Sequence, residues 1–397
     1  MKKSVRLSGF KYLRRQRILT LTSIITASSL LFSFTAISLL GFHRGFTNYL
    51  GEGKDIIAVY NPKSKTPYTS SVPAYLAERL EDVNGVLAIS PEVIAPCLVR
   101  GQAIFIRGIM PEKFVKLNPL IIVGGSFLNL SDTSSAIVGR NIAEKLGLNL
   151  KDRVLFLGVL ADRYVELQVK GIFVSGSIMD DEVLAPLYVG QWLRGMDYGS
   201  VTIIRLKIDP DEATPSKIFE AIAAEASQQT KPGIDRGQPP PKEPIIPWTV
   251  RRFDIEAIGV EEASEFMKGY MDRYGVTREA LLVLSAAVFF LSSSTIILAS
   301  KTVLAQHRGE MNVLRSLGAS KKILKIDIAV KLLPWIIVAS LMGFFSASAI
   351  LAVVQGCGYL QVLSHTVPFQ LDPILIALNI FLPITLVSIS ILKFDIE

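Results

Sequence analysis

The sequence predicts a membrane-embedded α-helical protein with four transmembrane helices, arranged as one plus three, and a large α+β extracytoplasmic domain inserted between the first and the second. Three observations predict this fold class: four long windows without a charged residue, a long insert after the first window, and the overall composition. The 397 residues include only 19% charged residues and have a mean hydropathy of +0.41. A soluble domain usually carries about 25% charged residues, so part of this chain belongs in lipid.

Each charge-free window is long enough to cross a bilayer as a helix. A hydrocarbon core of about 30 Å needs about 20 helical residues, and backbone groups in lipid must be hydrogen-bonded within their own segment. The first apolar stretch is too long for a cleavable signal peptide, so residues 1–42 are expected to be a basic cytoplasmic tail and a retained first helix. The windows are Ile18–Phe42, Ala280–Ser300, Leu332–Val354 and Pro373–Leu392.

The cations are unevenly distributed between the connecting segments. Residues 1–17 hold seven Lys and Arg residues and no acid, residues 301–331 hold seven against two acids, and residues 355–372 hold no cation. The positive-inside rule therefore places both termini and the 301–331 loop in the cytoplasm, and residues 43–279 outside a plasma or inner membrane. Because residues 43–279 contain 27 basic and 30 acidic residues, the net charge of +7 comes from the cytoplasmic segments, and no nucleic-acid partner is expected.

The insert alternates β-rich and helical patterns, which predicts an α+β domain over residues 43–258. Five prolines within Arg236–Trp248 predict an extended linker over residues 236–248. The predicted strands are Asp55–Tyr60, Ala103–Ile109, Arg153–Val159, Tyr164–Val174 and Val201–Ile208, with a hairpin turn at Leu160–Arg163. The predicted helices are Ala74–Val83, Arg140–Leu146 and Ser216–Gln228.

Residues 259–397 are predicted to hold a stalk helix and a membrane domain of three helices. Glu261–Tyr274 has a helical period with an apolar stripe, and it is predicted to connect the outside domain to the second span. The alternative is that this stripe packs on the core of the outside domain itself. In the third span Ala339, Gly343 and Ala347 recur every four residues, which predicts close packing against a helix of the same chain or of a second copy.

Few residues point to chemistry. The sequence has no G-x-x-x-x-G-K-[ST] phosphate loop and no G-x-S-x-G elbow, and its three histidines lie far apart. We therefore expect no enzyme activity, no metal and no cofactor. The acidic run Asp180, Asp181 and Glu182 could bind a cation, but a solvated loop is favoured. Spans without ionisable residues disfavour an ion-coupled transporter, and whether Cys97 and Cys357 are oxidised is left open.

The cytoplasmic loop 301–331 is the most informative segment. Gly318 is well placed to end an amphipathic helix, and Ser320 to cap the helix that follows. The cations of this loop could also serve only to fix the topology and to contact anionic membrane lipid. The apolar residues predicted to share one face of the amphipathic helix are Val303, Leu304, Met311, Leu314 and Leu317.

The run QHRGEMNVLRSLGAS, from Gln306 to Ser320, resembles the signature of MacB/FtsX-like ABC transporter permeases. Ala136–Leu148 is similar to the periplasmic core domain of that family, and the order of one span, a large outside domain and three spans is similar as well. One departure is Gln306-His307, where the family often has Glu-Arg. The resemblance therefore covers most of the chain, and the cytoplasmic run is its most specific part.

In such permeases the loop between the second and third spans contacts an ATPase. The resemblance implies that Arg308, Glu310 and Arg315 are contact residues and that Gly318 shapes the turn. It also implies a separate ABC ATPase subunit as a partner, because this chain has no phosphate loop, and a second permease subunit that is either identical or different.

The mechanism that the resemblance implies is mechanotransmission. ATP-driven movement of the coupling loop would reach the outside domain through the spans, for export or extraction of a lipid, lipoprotein, peptide or drug-like substrate. Two alternatives stay open. One is a membrane sensor or scaffold that needs no ATPase, and the other is an FtsX-type regulator of an extracellular hydrolase.

Overall fold

The computed structural model describes residues 13–51, 53–64, 66–229, 255–273, 275–356, 361–362, 365–367 and 372–394. The chain divides into two compact units. The first, called here the helical unit, comprises Met1–His43, Gly275–Leu360 and Val367–Glu397. The second, called the head domain, comprises Arg44–Tyr274 and Gln361–Thr366. The predicted linker 236–248 and Cys357 lie outside the described residues.

Within the described residues the helices and strands follow in this order. The helices are α1 (Arg15–Thr47), α2 (Leu76–Glu81), α3 (Pro111–Leu117), α4 (Arg140–Leu146), α5 (Leu187–Arg194), α6 (Pro215–Gln229), α7 (Ala263–Arg273), α8 (Arg278–Gln306), α9 (Arg308–Ser316), α10 (Lys321–Gly356) and α11 (Pro373–Lys393). The strands are β1 (Ile56–Tyr60), β2 (Val72–Pro73), β3 (Val86–Val99), β4 (Gln102–Ile109), β5 (Ile121–Gly125), β6 (Ser135–Gly139), β7 (Arg153–Gly158), β8 (Tyr164–Val174), β9 (Glu182–Pro186), β10 (Ser200–Val201), β11 (Ile203–Ile208), β12 (Gly259–Glu262), β13 (Gln361–Val362) and β14 (His365–Thr366).

Four helices of the helical unit, α1, α8, α10 and α11, are long and apolar enough to span a membrane. They contain the four predicted windows, and the head domain supplies the large mixed α/β part of the fold. The core of the helical unit is built from leucine, isoleucine and valine side chains of all four helices, among them Leu21, Ile296, Ile336 and Val387.

Helices α1, α10 and α11 approach one another closely at a set of small and polar residues. A Cβ atom added at Gly343 would lie 2.6 Å from both the Cβ of Ser29 and the carbonyl oxygen of Thr26. The Ser29 hydroxyl lies 2.7 Å from Oδ1 of Asn379, whose Nδ2 donates to the carbonyl oxygen of Ser340 at 3.0 Å. Hydrogen bonds between membrane helices add modestly to such packing. Ala339 and Ala347, the other members of the predicted small-residue face, are buried.

The head domain is built on one mixed sheet whose strand order is β12-β1-β11-β3-β4-β9-β6-β8-β5. β7 pairs with both β3 and β8, so strands β3, β4, β9, β6, β8 and β7 form a closed ring. Alternate residues of β7 and β8 point inward, as the predicted period-2 pattern requires. The ring encloses a core that includes Cys97, Ile106, Val138, Phe156 and Val183.

Helices α2 and α6 cover the other part of the sheet, where Leu80 and Ile218 are buried together with Ile57 and Leu206. The predicted helix at Ala74–Val83 is shorter than expected, because Val72 and Pro73 form strand β2 with β10. Five further strands, β3, β5, β6, β9 and β12, belong to the sheet without having been predicted.

Helix α7 lies in the head domain, within the predicted stalk. Its residues Phe266 and Met267 are buried, and the ring of Phe266 lies 3.9 Å from that of Tyr60. The apolar stripe is therefore in contact with the core of the head domain, which was the alternative interpretation of that stripe.

Candidate functional site

The segment between α8 and α10 folds as a capped helical turn, which we call the elbow (residues 306–320). α9 ends at Ser316, and Gly318 follows it with φ +103°, a conformation that favours glycine. The Ala319 amide then donates to the carbonyl oxygen of Leu314 at 3.2 Å. The hydroxyl of Ser320 accepts from the amide of Ile323 at 3.3 Å and caps α10. The predicted helix end and helix cap are both confirmed.

Helix α9 has one buried and one exposed apolar face. Met311 and Leu314 are buried in the core of the helical unit. Val313 and Leu317, by contrast, are 60% and 67% exposed. The prediction that Leu317 lies on the buried face is wrong, because the helix ends one residue earlier, at Ser316. The exposed pair is the feature that sequence reasoning missed, although its spacing of four residues was visible.

Glu310 lies beside the first residues of α1. Its Oε1 is 3.9 Å from Nε of Arg14 and 3.8 Å from Nη1 of Arg17. The backbone amide of Arg14 donates to Nε2 of the buried His307 at 3.1 Å, and Nδ1 of His307 lies 2.8 Å from the carbonyl oxygen of Val303. His307 therefore donates from Nδ1 and accepts at Nε2. These contacts fasten the start of α1 to the elbow.

The four predicted ATPase-contact residues all lie on the elbow. Gly318 is exposed, whereas Arg308, Glu310 and Arg315 are half-exposed. The structure thus brings them together with the exposed pair Val313 and Leu317, and their contact with a partner stays a prediction.

The head domain contains a second polar site, a buried set of charges that we call the ion network (Glu92, Arg107, Glu182 and Arg205). The four residues lie on β3, β4, β9 and β11, and each is at most 1% exposed. Arg107 holds Glu182 through Nε at 2.6 Å and Nη2 at 2.9 Å, and holds Glu92 through Nη1 at 2.6 Å. Arg205 binds Oε1 of Glu92 through Nε at 2.9 Å and Nη2 at 2.7 Å. The two arginines and the two glutamates give the ion network a net charge of zero.

Neighbouring groups satisfy the remaining donors and acceptors of the ion network. The Tyr49 hydroxyl donates to Oε1 of Glu182 at 2.5 Å. Arg205 donates to the carbonyl oxygen of Leu50 at 2.7 Å and to Oδ1 of Asn118 at 3.1 Å. Because each buried polar atom has a partner, the network avoids the cost of leaving a charge unpaired in the interior.

The charges of the network shift the pKa of its members. Burial alone would raise the pKa of Glu182, but the positive charge of Arg107 and the hydrogen bonds from His365 and Arg107 hold that pKa well below its ordinary value. Burial, with the negative charge of Glu182, raises the pKa of Tyr49 well above its ordinary value. Glu182 is therefore an anion and Tyr49 a hydroxyl donor at neutral pH.

The acidic run at the start of β9 is not a solvated loop, so that expectation was wrong. Asp180, Asp181 and Glu182 are 9%, 2% and 0% exposed. Asp180 accepts from the amides of Ser175 and Gly176, while Asp181 accepts from Thr366. These hydrogen bonds and the ion network compensate the burial of three carboxylates. Among the described residues, no group of three or more His, Cys, Asp or Glu side chains is placed to hold a metal ion.

Acid is expected to destabilise the head domain through Glu182. Because its pKa is lower in the folded than in the unfolded chain, its stabilising contribution is present above the ordinary carboxyl pKa and is lost as pH falls toward the folded value. Thermal unfolding of the purified chain, followed by near-UV circular dichroism, should show a midpoint that falls below about pH 4.5. Glu182→Gln should lower the midpoint at pH 7 and weaken its dependence on acid. Glu166→Gln, at an exposed ion pair, is the control, and an acid dependence equal to wild type in Glu182→Gln would contradict the prediction.

Three segments that adjoin spans in the chain meet beside the ion network, in what we call the junction cluster. Tyr49 and Leu50 follow α1, Phe266 and Met267 belong to α7 before α8, and His365 lies between α10 and α11. The first four are buried in one apolar cluster with Phe105, and the ring of His365 stacks on that of Phe105 at 5.2 Å. Described residues that stand next to three different spans in the sequence are therefore brought together inside the head domain.

Comparison with known proteins gives structural neighbours only. No protein-family model matches the sequence, and no curated protein matches it. The chain is similar to the periplasmic region of MacB from Actinobacillus actinomycetemcomitans, with 12% identity, 55% of this chain and 94% of that chain covered, and a TM-score of 0.37. It is similar to the extracellular domain of the ABC-type transporter YknZ from Gram-positive bacteria, with 16% identity, 45% and 96% covered, and a TM-score of 0.34. A third neighbour is a domain of a protein described as a permease from Porphyromonas gingivalis, with 14% identity, 44% and 84% covered, and a TM-score of 0.31.

Proposed function

We propose that this chain is a permease subunit of a MacB/FtsX-like ABC transporter, in which a separate ATPase binds the elbow from the cytoplasm. The observation that carries the proposal is the geometry of the elbow. Met311 and Leu314 fix one side of α9 in the core, while Val313 and Leu317 stand exposed on a capped, rigid turn. Cations that only mark topology require no such ordered apolar surface, and the resemblance of Gln306–Ser320 to the permease signature supports the same function.

The exposed face of α9 has the chemistry of a helix that docks in a groove. Two apolar side chains one turn apart act as anchors when a helix lies in an apolar groove of a partner, and the surrounding cations orient the encounter. Arg308, Arg315 and Gly318 are proposed to contact the ATPase beside Val313 and Leu317. Glu310 is proposed to act in the same interface by holding α1 against the elbow.

The helical unit offers a route for movement of the elbow. α8 and α10 leave from its two ends, and α1 is fastened to it through Arg14 and His307. The Nζ of Lys325 in α10 donates to the carbonyl oxygen of Leu392 in α11 at 2.6 Å. A pull on the elbow would therefore act on all four long helices. We propose that a dimer of such subunits uses this movement for export or extraction of a lipid, lipoprotein, peptide or drug-like substrate, and that residues 43–279 are extracytoplasmic.

Replacing both exposed residues, Val313→Ser with Leu317→Ser, should abolish binding of the ATPase. Each apolar side chain that becomes buried contributes about 1.5–3 kcal/mol, so the double variant should lose at least tenfold in the amount of ATPase that co-purifies. The tagged full chain would be isolated from native membranes in mild detergent, and a bound protein with a phosphate loop would be identified and quantified by mass spectrometry.

The matched control replaces two exposed leucines of the head domain, Leu155→Ser with Leu157→Ser, and should retain the ATPase. An unchanged yield of ATPase with the elbow variant would contradict the docking site. A wild-type chain that brings down no phosphate-loop protein would contradict the transporter itself and would favour a sensor or scaffold.

A further inference from the structure

The short hairpin formed by β13 and β14 belongs to the head domain, although it lies between α10 and α11 in the chain. We call residues 361–366 the strap. Its strands pair at Gln361 with Thr366 and at Val362 with His365. A hairpin of two residues in each strand is not stable alone, so its position depends on the partners that the head domain provides.

His365 is held by charge and by aromatic rings. Its Nε2 lies 3.2 Å from Oε1 of Glu182, and the side chain is 5% exposed. The imidazole stacks on Phe105 with ring centroids 5.2 Å apart, and the edge of the Tyr49 ring approaches it at 5.1 Å. An imidazole with its proton on Nε2 donates to Glu182.

Thr366 makes a second attachment. Its backbone amide and its hydroxyl both donate to Oδ2 of Asp181, at 2.8 and 2.5 Å. Nδ2 of Asn141 lies 3.5 Å from the same hydroxyl oxygen. Asp181 is 2% exposed, so removing Thr366 would leave a buried carboxylate without these donors, at a considerable cost in free energy. The strap is thus fastened by specific polar bonds.

Glu182 receives both the strap and the residue that follows α1. The Tyr49 hydroxyl and Nε2 of His365 bind the same oxygen, Oε1. Five residue steps separate Gly356, at the end of α10, from Gln361, and five separate Val367 from Asp372 before α11. Each connection can therefore extend at most about 18 Å, so the strap is joined to its two helices by short stretches of chain.

We propose that the strap is a force-bearing fastening through which α10 and α11 act on the head domain, with His365 and Thr366 as its positioning residues and Glu182 and Asp181 as their receptors. This inference rests on the proposed function. In it, movement of the third and fourth spans pulls the strap and shifts β9, while movement of the first span reaches the same carboxylate through Tyr49.

The test compares wild type with the double variant His365→Ala and Thr366→Val, as full chains in lipid nanodiscs. Amide hydrogen exchange of peptides covering residues 361–367 should be slow in wild type and at least tenfold faster in the variant. With the co-purified ATPase bound, addition of ATP should change exchange in β9 of wild type. The variant should still bind the ATPase, and the bound ATPase should still hydrolyse ATP. The ATP-induced change in amide exchange of β9, however, should be less than half of the change in wild type.

The single variant Thr366→Ser keeps both donors to Asp181 and should show the β9 response of wild type. Leu160→Ala, in the exposed turn between β7 and β8, should also leave this response unchanged. Fast exchange of the strap in wild type would overturn the fastening. A full β9 response in a variant whose strap is released would overturn its role in transmission. If the wild-type chain binds no ATPase, the proposed function fails first, and transmission through the strap fails with it.

Discussion

Arg107→Met is expected to lower the free energy of unfolding of the head domain by about 3–5 kcal/mol, the cost of removing one partner from a buried ion pair. Arg107 supplies both hydrogen bonds that make its contact with Glu182 bidentate, and it also binds Glu92. Methionine fills a similar volume but leaves a fully buried carboxylate with only Tyr49 and His365 as donors. Arg107→Lys should be almost as harmful, because an ammonium cannot reproduce the two-pronged geometry.

Cys97 provides a reporter for this effect in the full chain. It lies in the closed ring of strands, fully buried, and burial raises its pKa to about 12. In a Cys357→Ser background, the rate at which a thiol reagent labels Cys97 measures how often the head domain opens. A loss of 3–5 kcal/mol corresponds to labelling that is faster by a factor of at least about 100.

The control for Arg107→Met is Arg153→Met. Arg153 also pairs with a glutamate, Glu166 at 3.6 Å, but both side chains are more than half exposed. Exposed pairs contribute at most about 1 kcal/mol, so labelling of Cys97 should change less than tenfold. Equal effects of the two substitutions would show that the buried network contributes no more than a surface pair.

The membrane helices could be predicted from sequence because their signal is local. A charge-free window of 20 residues, such as Pro373–Leu392, carries its own reason for being a helix. Strands β7 and β8 were equally visible, since apolar and polar residues alternate along them. β3 was not visible, because Pro91 and Pro96 stand inside it and proline is unusual within a strand. β9 was not visible either, because all of its five residues are buried and apolar and polar residues therefore do not alternate.

The ion network could not be predicted, because its members are distant in sequence. Glu92 binds Arg107 and Arg205, which lie 15 and 113 residues away, and Glu182 lies 75 residues from Arg107. The available signal was weaker: Arg107 and Arg205 each lie in a strand made mostly of apolar residues. A cation at such a position is buried only with an anion beside it, which predicts a partner without saying which one.

In the elbow, the helical period of apolar residues does not predict correctly which side chains are buried near the end of the helix. Gly318 and Ser320 act as local chemistry predicts, whereas Leu317 does not face the core. Glu310 belongs to the run that resembles the permease signature, and the structure adds its contacts with Arg14, just before α1, and with Arg17 in α1. These contacts join the elbow to the first span. They could not be predicted from a local sequence pattern, because the residues are almost 300 positions apart.

Gly343→Leu should disrupt the helical unit. Even alanine would place its Cβ 2.6 Å from the Cβ of Ser29 and from the carbonyl oxygen of Thr26, a distance that forces the helices apart. Overpacking of this kind costs about 1–3 kcal/mol for small insertions and more for large ones. Separation of α1 from α10 would also break the hydrogen bond from the Ser29 hydroxyl to the carbonyl oxygen of Ser340. Gly343→Ala should therefore lower the thermal midpoint of the chain in detergent, and Gly343→Leu should prevent recovery of a folded chain.

The adjacent substitution Met342→Leu separates packing from hydrophobicity, because Met342 is 57% exposed on the same helix. It adds no atom to the contact with α1 and should leave the midpoint within about 1 °C, the scale expected for surface changes below 0.5 kcal/mol. If Gly343→Ala were as harmless as Met342→Leu, α1 and α10 would not be in close contact in the membrane. A pull on the elbow would then reach the first span through contacts such as those of Arg14 with His307 and of Arg17 with Glu310, and not through α10.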